Sequence, residues 1–144
     1  MLPQKFETRK LIAQVVSHML RKYHVPTVAY IAQRPALLER LVFGYGSADT
    51  ALTCGTMLRE CLRYEELHIL VAKSEPMFQK LVEFVQLPNF EVATDAFSSF
   101  KDLMALHKTR QFAEWIENSY EVVRIHRAFA FPRGCTHMAR FSHR

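Results

Sequence analysis

Glycine is scarce, with four in 144 residues, and short alternating runs of β-branched residues are few. A sandwich or barrel draws on both, so the chain reads as helical. No apolar run reaches the roughly 18 residues needed to cross a bilayer. The opening Met1-Leu2-Pro3-Gln4-Lys5 lacks the basic-then-apolar order of a secretory leader. Three cysteines, Cys54, Cys61 and Cys135, form an odd set at non-motif spacing, which points to a reducing compartment. A cytoplasmic protein without a membrane partner is expected. Acidic residues are missing after Glu121. Arg124, Arg127, Arg133, Arg140 and Arg144 follow it and account for the whole net charge of +5. Residues 1–121 are therefore formally neutral, and a basic tail is a weaker nucleic-acid signal than a basic stripe on a folded face.

What is present is ordinary for a globular protein: 49% of the residues are hydrophobic and 23% charged. Their arrangement repeats. Ala51, Cys54, Leu58, Cys61 and Leu62 have the 3-4 spacing of one helix face. Moved forward by 42 residues they become Ala93, Ala96, Phe100, Leu103 and Met104, and moved back the last four become Ile12, Val16, Met19 and Leu20. Periods of about 40–47 residues belong to armadillo and HEAT-type solenoids. The preceding helices agree with a one-residue slip, since Arg34-Pro35-Ala36-Leu37 and Glu75-Pro76-Met77-Phe78 lie 41 apart. Each places proline in a first helical turn, where its missing N–H costs nothing.

The pattern predicts helices at 6–23, 26–33, 35–43, 48–64, 66–73, 75–87, 90–107 and 111–124. This is a long helix followed by two units of short, medium and long helix, then a last helix carrying Phe112, Trp115, Ile116, Tyr120 and Val123. Leu58, Leu62, Phe100 and Met104 are expected in the core. Gly44 is expected to end a helix in the left-handed conformation, with Ser47 and Ser74 as N-caps of the helices that follow. The expected organisation is a helical-repeat domain over 1–124 and a basic irregular tail over 125–144. The fold class is all-α, a partial armadillo/HEAT-like right-handed solenoid.

No catalytic or metal constellation emerges. Cys54 and Cys61 share a helix face, but the repeat places them where Ile12, Met19, Ala96 and Leu103 sit, which assigns them to the core. No two of the seven histidines make an i, i+4 pair, and Cys135, His137 and His143 with His126 fit no standard zinc finger. Gly44-Tyr45-Gly46 lacks the lysine and hydroxyl of a phosphate loop. No aspartate-rich loop resembles an EF-hand. The expectation is a protein that is not an enzyme and has no cofactor.

The segment Gly44-Tyr45-Gly46-Ser47-Ala48-Asp49-Thr50-Ala51-Leu52-Thr53-Cys54-Gly55-Thr56-Met57-Leu58-Arg59-Glu60-Cys61-Leu62-Arg63 closely resembles the central repeat of the calcium-binding-protein-39 scaffold family, also called mouse protein 25. Its Cys-Gly-x-Met-Leu-Arg-Glu-Cys core is specific. Ala93-Thr94-Asp95-Ala96-Phe97-Ser98-Ser99-Phe100-Lys101-Asp102-Leu103, then His107-Lys108, resembles that family's next long helix, and Pro26-Thr27-Val28 with Tyr30-Ile31 an earlier stretch. The similarity covers about residues 10–123. It implies a curved right-handed helical solenoid that binds kinases or pseudokinases of the sterile-twenty type, among them the STRAD pseudokinase. The family's pocket for a Trp-Glu-Phe tail lies in a C-terminal half with no counterpart here.

In a solenoid the long helices line the concave face that receives partners. Opposite the apolar stripe, the 42-residue offset selects Gln14, Thr56 and Ser98; His18, Glu60 and Asp102; and Arg21, Arg63 and Ala105, flanked by Arg59 and Lys101. These rows mix both signs of charge, which suits a protein partner better than a phosphate backbone. Two other readings stay open: a helical-repeat nucleic-acid binder using the tail, and a truncated product without function. The apolar residues of the last helix have no complete following unit to cover them, so self-association through the C-terminal end is expected.

Overall fold

The computed structural model describes residues 2–107 and Glu114; the side chains of residues 2–6 are left aside. Seven α-helices run through the described residues, and no strand is among them. They are α1 (Leu2–Lys22), α2 (His24–Ala32), α3 (Pro35–Phe43), α4 (Ala48–Leu62), α5 (Glu65–Lys73), α6 (Glu75–Val85) and α7 (Phe90–Ala105). Every helix expected before residue 107 is present within a few residues of its expected ends. The expected helix over 111–124, its Phe112 and Trp115, the tail and the boundary at 124 lie outside the described residues, save that Glu114 is helical.

Local chemistry sets the starts. Pro35 and Pro76 sit at the head of α3 and α6, where no intrahelical N–H bond is lost. Asn89 caps α7, its side chain accepting from the N–H groups of Glu91 and Val92 at 3.1 and 3.3 Å. Ser47 and Ser74 hold the N-cap positions of α4 and α6 with extended backbone, but neither side chain makes a capping bond. In the first turn of α4 the Thr50 hydroxyl donates to the Gly44 carbonyl at 2.8 Å, which ties the helix to the preceding turn without capping its N–H groups. Gly44 is not left-handed. Its φ of −61° keeps α3 turning right-handed into a 3-10 turn, Gly44–Gly46. The glycine answers a packing demand: a Cβ there would collide with the Cys54 Sγ.

The helices stack as two units, α2–α3–α4 and α5–α6–α7, with α1 as the long helix ahead of them. Like packs on like: α1 against α4 and α4 against α7, α2 against α5, α3 against α6. One core joins them all. Leu20, Leu38, Val42, Leu58, Leu62, Leu67, Val71, Leu81 and Leu103 are fully enclosed, and each such side chain contributes about 1.5–3 kcal/mol of burial. Leu58 and Leu62 take the places expected of them. Phe100 and Met104 are only partly buried, packed against the core with the Phe100 ring on Phe78 of α6, while Val92, Ala96, Ser99 and Leu103 are the buried residues of α7. Ile12 and Met19, expected on the apolar face, are 51% and 45% exposed. Their counterparts Cys61, Ala96 and Leu103 are buried and Cys54 is half-buried, packed on Gly44 at the end of its own unit's α3, whereas among the described residues no short and medium helices precede α1. Cys61 is buried and Cys54 half-buried. This is a helical-repeat solenoid.

Candidate protein-docking face

The long helices α1, α4 and α7 lie side by side, so residues 42 apart fall into rows. Gln14 and Thr56 are exposed and Ser98 half-buried; His18 is exposed while Glu60 and Asp102 are half-buried; Arg21, Arg63, Lys101 and Ala105 are exposed. Gln14, His18, Arg21 and Thr56 line one open groove of about 550 Å³ between α1 and α4, with Lys10 at one end. Ser98, Lys101 and Asp102 do not line it. The Thr56 hydroxyl donates to the Leu52 carbonyl at 2.9 Å and that of Ser98 to Thr94 at 3.0 Å, so both still have oxygen lone pairs to offer.

Arg21 reaches across from α1 and donates to both oxygens of Glu60, at 2.6 and 3.3 Å, and Arg63 approaches the same carboxylate at 3.7 Å. The Arg21 hydrogen bond holds the Glu60 carboxyl below the usual carboxylate range. Glu60 is thereby a fixed anion between two exposed cations, a mixed-sign patch on the rim of the groove.

Arg59 belongs to a different structure. Its guanidinium forks onto Asp95 of α7, Nη1 to Oδ2 at 2.9 Å and Nη2 to Oδ1 at 3.0 Å, and Nη1 also reaches the Ser99 hydroxyl at 3.1 Å. Tyr45, from the 3-10 turn, donates to Asp95 Oδ2 at 2.7 Å and lies 2.7 Å from Ser99 Oγ. Burial, with the hydrogen bond and charge of Asp95 behind it, pushes the Tyr45 phenol up against the opposing Ser99 hydrogen bond, so it stays a neutral donor. For Arg59, burial pulls the pKa down, but the hydrogen bond and charge of Asp95 overcome it and the net displacement is upward. A bidentate, charge-assisted pair of this kind fixes orientation as well as distance. Arg59 therefore clamps α4 to α7 rather than standing beside the rows as an open contact. The clamp passes over Gly55, where a Cβ would collide with Asp95 Oδ2 and the Tyr45 hydroxyl. A mid-helix glycine costs about 1 kcal/mol relative to alanine. That oddity at Gly55 was the sequence signal for the network of Tyr45, Asp95 and Ser99, which reading by periodicity missed.

A second device recurs at the helix ends. The Tyr64 hydroxyl, just past α4, donates to the carbonyl of Leu20 in the last turn of α1. His107, just past α7, places Nε2 at 3.0 Å from the carbonyl of Leu62, 42 residues on from Leu20. His68 of α5 sets Nε2 at 2.7 Å from the Leu103 carbonyl. Each long helix thus has an orphan C-terminal acceptor satisfied by a side chain, from just past the next long helix for α1 and α4 and from its own unit's α5 for α7. The His68 and His107 rings meet edge to face at 4.9 Å.

None of this is nucleophilic chemistry. Burial pushes the Cys61 thiol up to about 12 and raises that of Cys54, the reverse of an activated cysteine. Among the described residues no three histidine, cysteine, aspartate or glutamate side chains stand together as metal ligands. No described helix is long and apolar enough to cross a membrane.

The sequence also has counterparts among known proteins. Residues 2–128 match the family described as Mo25-like. The chain belongs to that family. The MO25-like protein 2 of Caenorhabditis elegans is 48% identical over 120 residues, covering 81% of this chain and 35% of the relative. The calcium-binding protein 39-like protein of Mus musculus is 38% identical over 121 residues, covering 82% and 35%. The degreening-related gene dee76 protein of Auxenochlorella protothecoides is 37% identical over 120 residues, covering 81% and 37%. This Mo25-like chain thus spans about a third of the length of the curated relatives it matches.

Proposed function

We propose that this Mo25-like chain is a non-enzymatic scaffold segment, acting in the cytoplasm, and that its partner is a protein kinase or pseudokinase of the sterile-twenty type. Family membership supports the scaffold reading, and the resemblance of the central repeat supports the choice of partner. The observation that carries it is the mixed-sign face: Arg21, Glu60 and Arg63 interleave beside Gln14, His18 and Thr56, with Lys101 and Asp102 continuing on α7. Alternating charge favours a complementary protein surface and disfavours a polyanion. Of the eleven positions in the rows and flanks, Arg59 contributes by holding α4 and α7 in register.

The test is titration of the full chain with a purified sterile-twenty-type kinase domain. Arg63→Glu and His18→Glu are expected to weaken binding by about tenfold together, at unchanged helicity, since rim charges act mainly on encounter. Binding that ignores both changes counts against this face. Tight binding to duplex or single-stranded nucleic acid, falling steeply with salt, would favour the basic-tail reading instead.

A further inference from the structure

The clamp that closes the α4/α7 junction has no copy at α1/α4. Counted back by 42 residues, Arg59 becomes Ser17, Asp95 becomes Thr53 and Gly55 becomes Ala13. All three of these line the open groove of about 550 Å³ between α1 and α4. Where the second junction pairs an arginine with a carboxylate, the first sets two short hydroxyl side chains beside a gap. Ser17 and Thr53 are both half-buried, and neither hydroxyl has a hydrogen-bond partner among the described residues. The ionisable lining has one sign. Lys10, His18 and Arg21 belong to it, and no aspartate or glutamate does. Lys10 and His18 are exposed and enter no ion pair among the described residues. On the rim, two arginines, Arg21 and Arg63, meet the single carboxylate of Glu60, so that end keeps a net positive charge.

We propose that this groove receives a short acidic segment of the protein partner, with an aspartate or glutamate of that segment lying over Ser17 and Thr53. The inference rests on the scaffold reading and names the chemistry of its contact. The α4/α7 junction shows the same arrangement filled from within: the Asp95 carboxylate accepts from Arg59 and Tyr45, beside the Ser99 hydroxyl. The α1/α4 junction keeps donors and lacks the acceptor. Its donors are the Ser17 and Thr53 hydroxyls, the Gln14 amide and the Lys10 ammonium. Such donors, gathered in a cleft partly shielded from water, favour an ionised carboxylate over a neutral side chain. The length is that of a peptide. Lys10 and Arg21 stand eleven residues apart on α1, about 16 Å along the helix, which an extended chain spans in about five residues. A nucleic-acid backbone fits less well, because its evenly repeated phosphates would also meet Glu60 on the rim.

The probe is a fluorescein-labelled alternating Glu-Ser octapeptide, whose glutamates share one face when extended, titrated with the full chain and read by anisotropy. A Gln-Ser octapeptide and an oligothymidylate of equal charge are the comparators, and the acidic peptide is expected to bind about tenfold tighter than either. Ser17→Arg with Thr53→Asp transplants the clamp into the groove and is expected to weaken the acidic peptide about tenfold at unchanged circular dichroism. Lys10→Gln, an exposed change that leaves packing alone, is expected to weaken it about threefold and decides the matter if the double variant misfolds. Arg40→Gln, the same loss of charge on α3 and outside the groove, is expected to leave it unaltered. Equal binding of the Gln-Ser peptide, tighter binding of the oligothymidylate, indifference to Lys10→Gln, or an equal loss in Arg40→Gln would overturn the proposal. The kinase titration is separate. A chain that holds the peptide and ignores the kinase refutes the choice of partner alone, and one that binds the kinase but not the peptide refutes this inference alone.

Discussion

The junctions α1/α4 and α4/α7 are the same piece of architecture taken 42 residues apart, and they are held by different chemistry. At α1/α4 the cross-helix bond is Arg21 to Glu60, with the arginine side chain 64% exposed. At α4/α7 it is Arg59 to Asp95, with both side chains mostly out of water and two further hydroxyls locked in. The helix-end bond differs in kind too, a tyrosine hydroxyl at the first junction and an imidazole at the second. Backbone stacking alone therefore does not dictate how a repeat interface is glued. Glycine at position 55 lets the second junction bring polar groups against the α4 backbone, and its equivalent in α1 is Ala13. An exposed pair contributes little to stability and remains available to a partner. A desolvated, multiply bonded pair does the reverse, which is why Arg21 suits a docking face and Arg59 does not.

The largest effect should come from the enclosed core of α4, the helix both junctions share. Leu58→Ala is expected to cost about 2–5 kcal/mol, since the site is closed on all sides and cannot fully collapse, read as a drop in the urea midpoint. A loss under about 1 kcal/mol would mean that the two junctions do not rest on one core.

The direct comparison is next. Arg59→Ala is expected to cost about 1–2 kcal/mol, below the figure for a fully buried pair because part of the side chain still meets water. A double-mutant cycle with Asp95→Ala should return most of that as coupling. Arg21→Ala should leave the urea midpoint where it was. Equal losses at Arg21 and Arg59 would erase the distinction between the junctions.

The smallest effect concerns pH. Burial lowers the His68 pKa, with His107 acting in the same direction and the Leu103 carbonyl and Glu65 opposing. The unfolded chain therefore takes up this proton before the folded chain does. Stability from this source is complete above the ordinary histidine range, near 6.5, and declines as pH falls through it toward the lower folded value. A urea midpoint that drops between about pH 7.5 and 5.5 is expected, and His68→Gln should flatten the slope relative to the parent. An unchanged slope in that variant would mean that His68 is not the group responsible.

The helices were legible because their cause is local. Apolar residues at 3-4 spacing, proline at two helix heads and the 42-residue offset located all seven described helices and joined them into units. The candidate face was legible only as a list of positions. Periodicity says which residues point away from the core, and it put Arg59 and Arg63 on the same footing although one is clamped and the other exposed. Gly44 was read as a left-handed stop because helix-ending glycines often are, while the actual demand came from Cys54, ten residues on. Ile12 and Met19 were read as core because the offset maps them onto Cys54 and Cys61, but an offset cannot say whether a neighbour is there to cover them.

By itself the sequence determined the helical class, the unit of repetition, the family and the charge asymmetry of the tail, because all four are carried by residue type and spacing along one chain. Tertiary structure decided which of the outward residues are exposed and which are clamped, why Gly55 must be glycine, and which side chains meet the helix-end carbonyls. Those facts depend on side chains 35 to 54 residues apart coming within hydrogen-bond reach. That meeting is set by how one unit rotates onto the next, and no local pattern encodes the rotation.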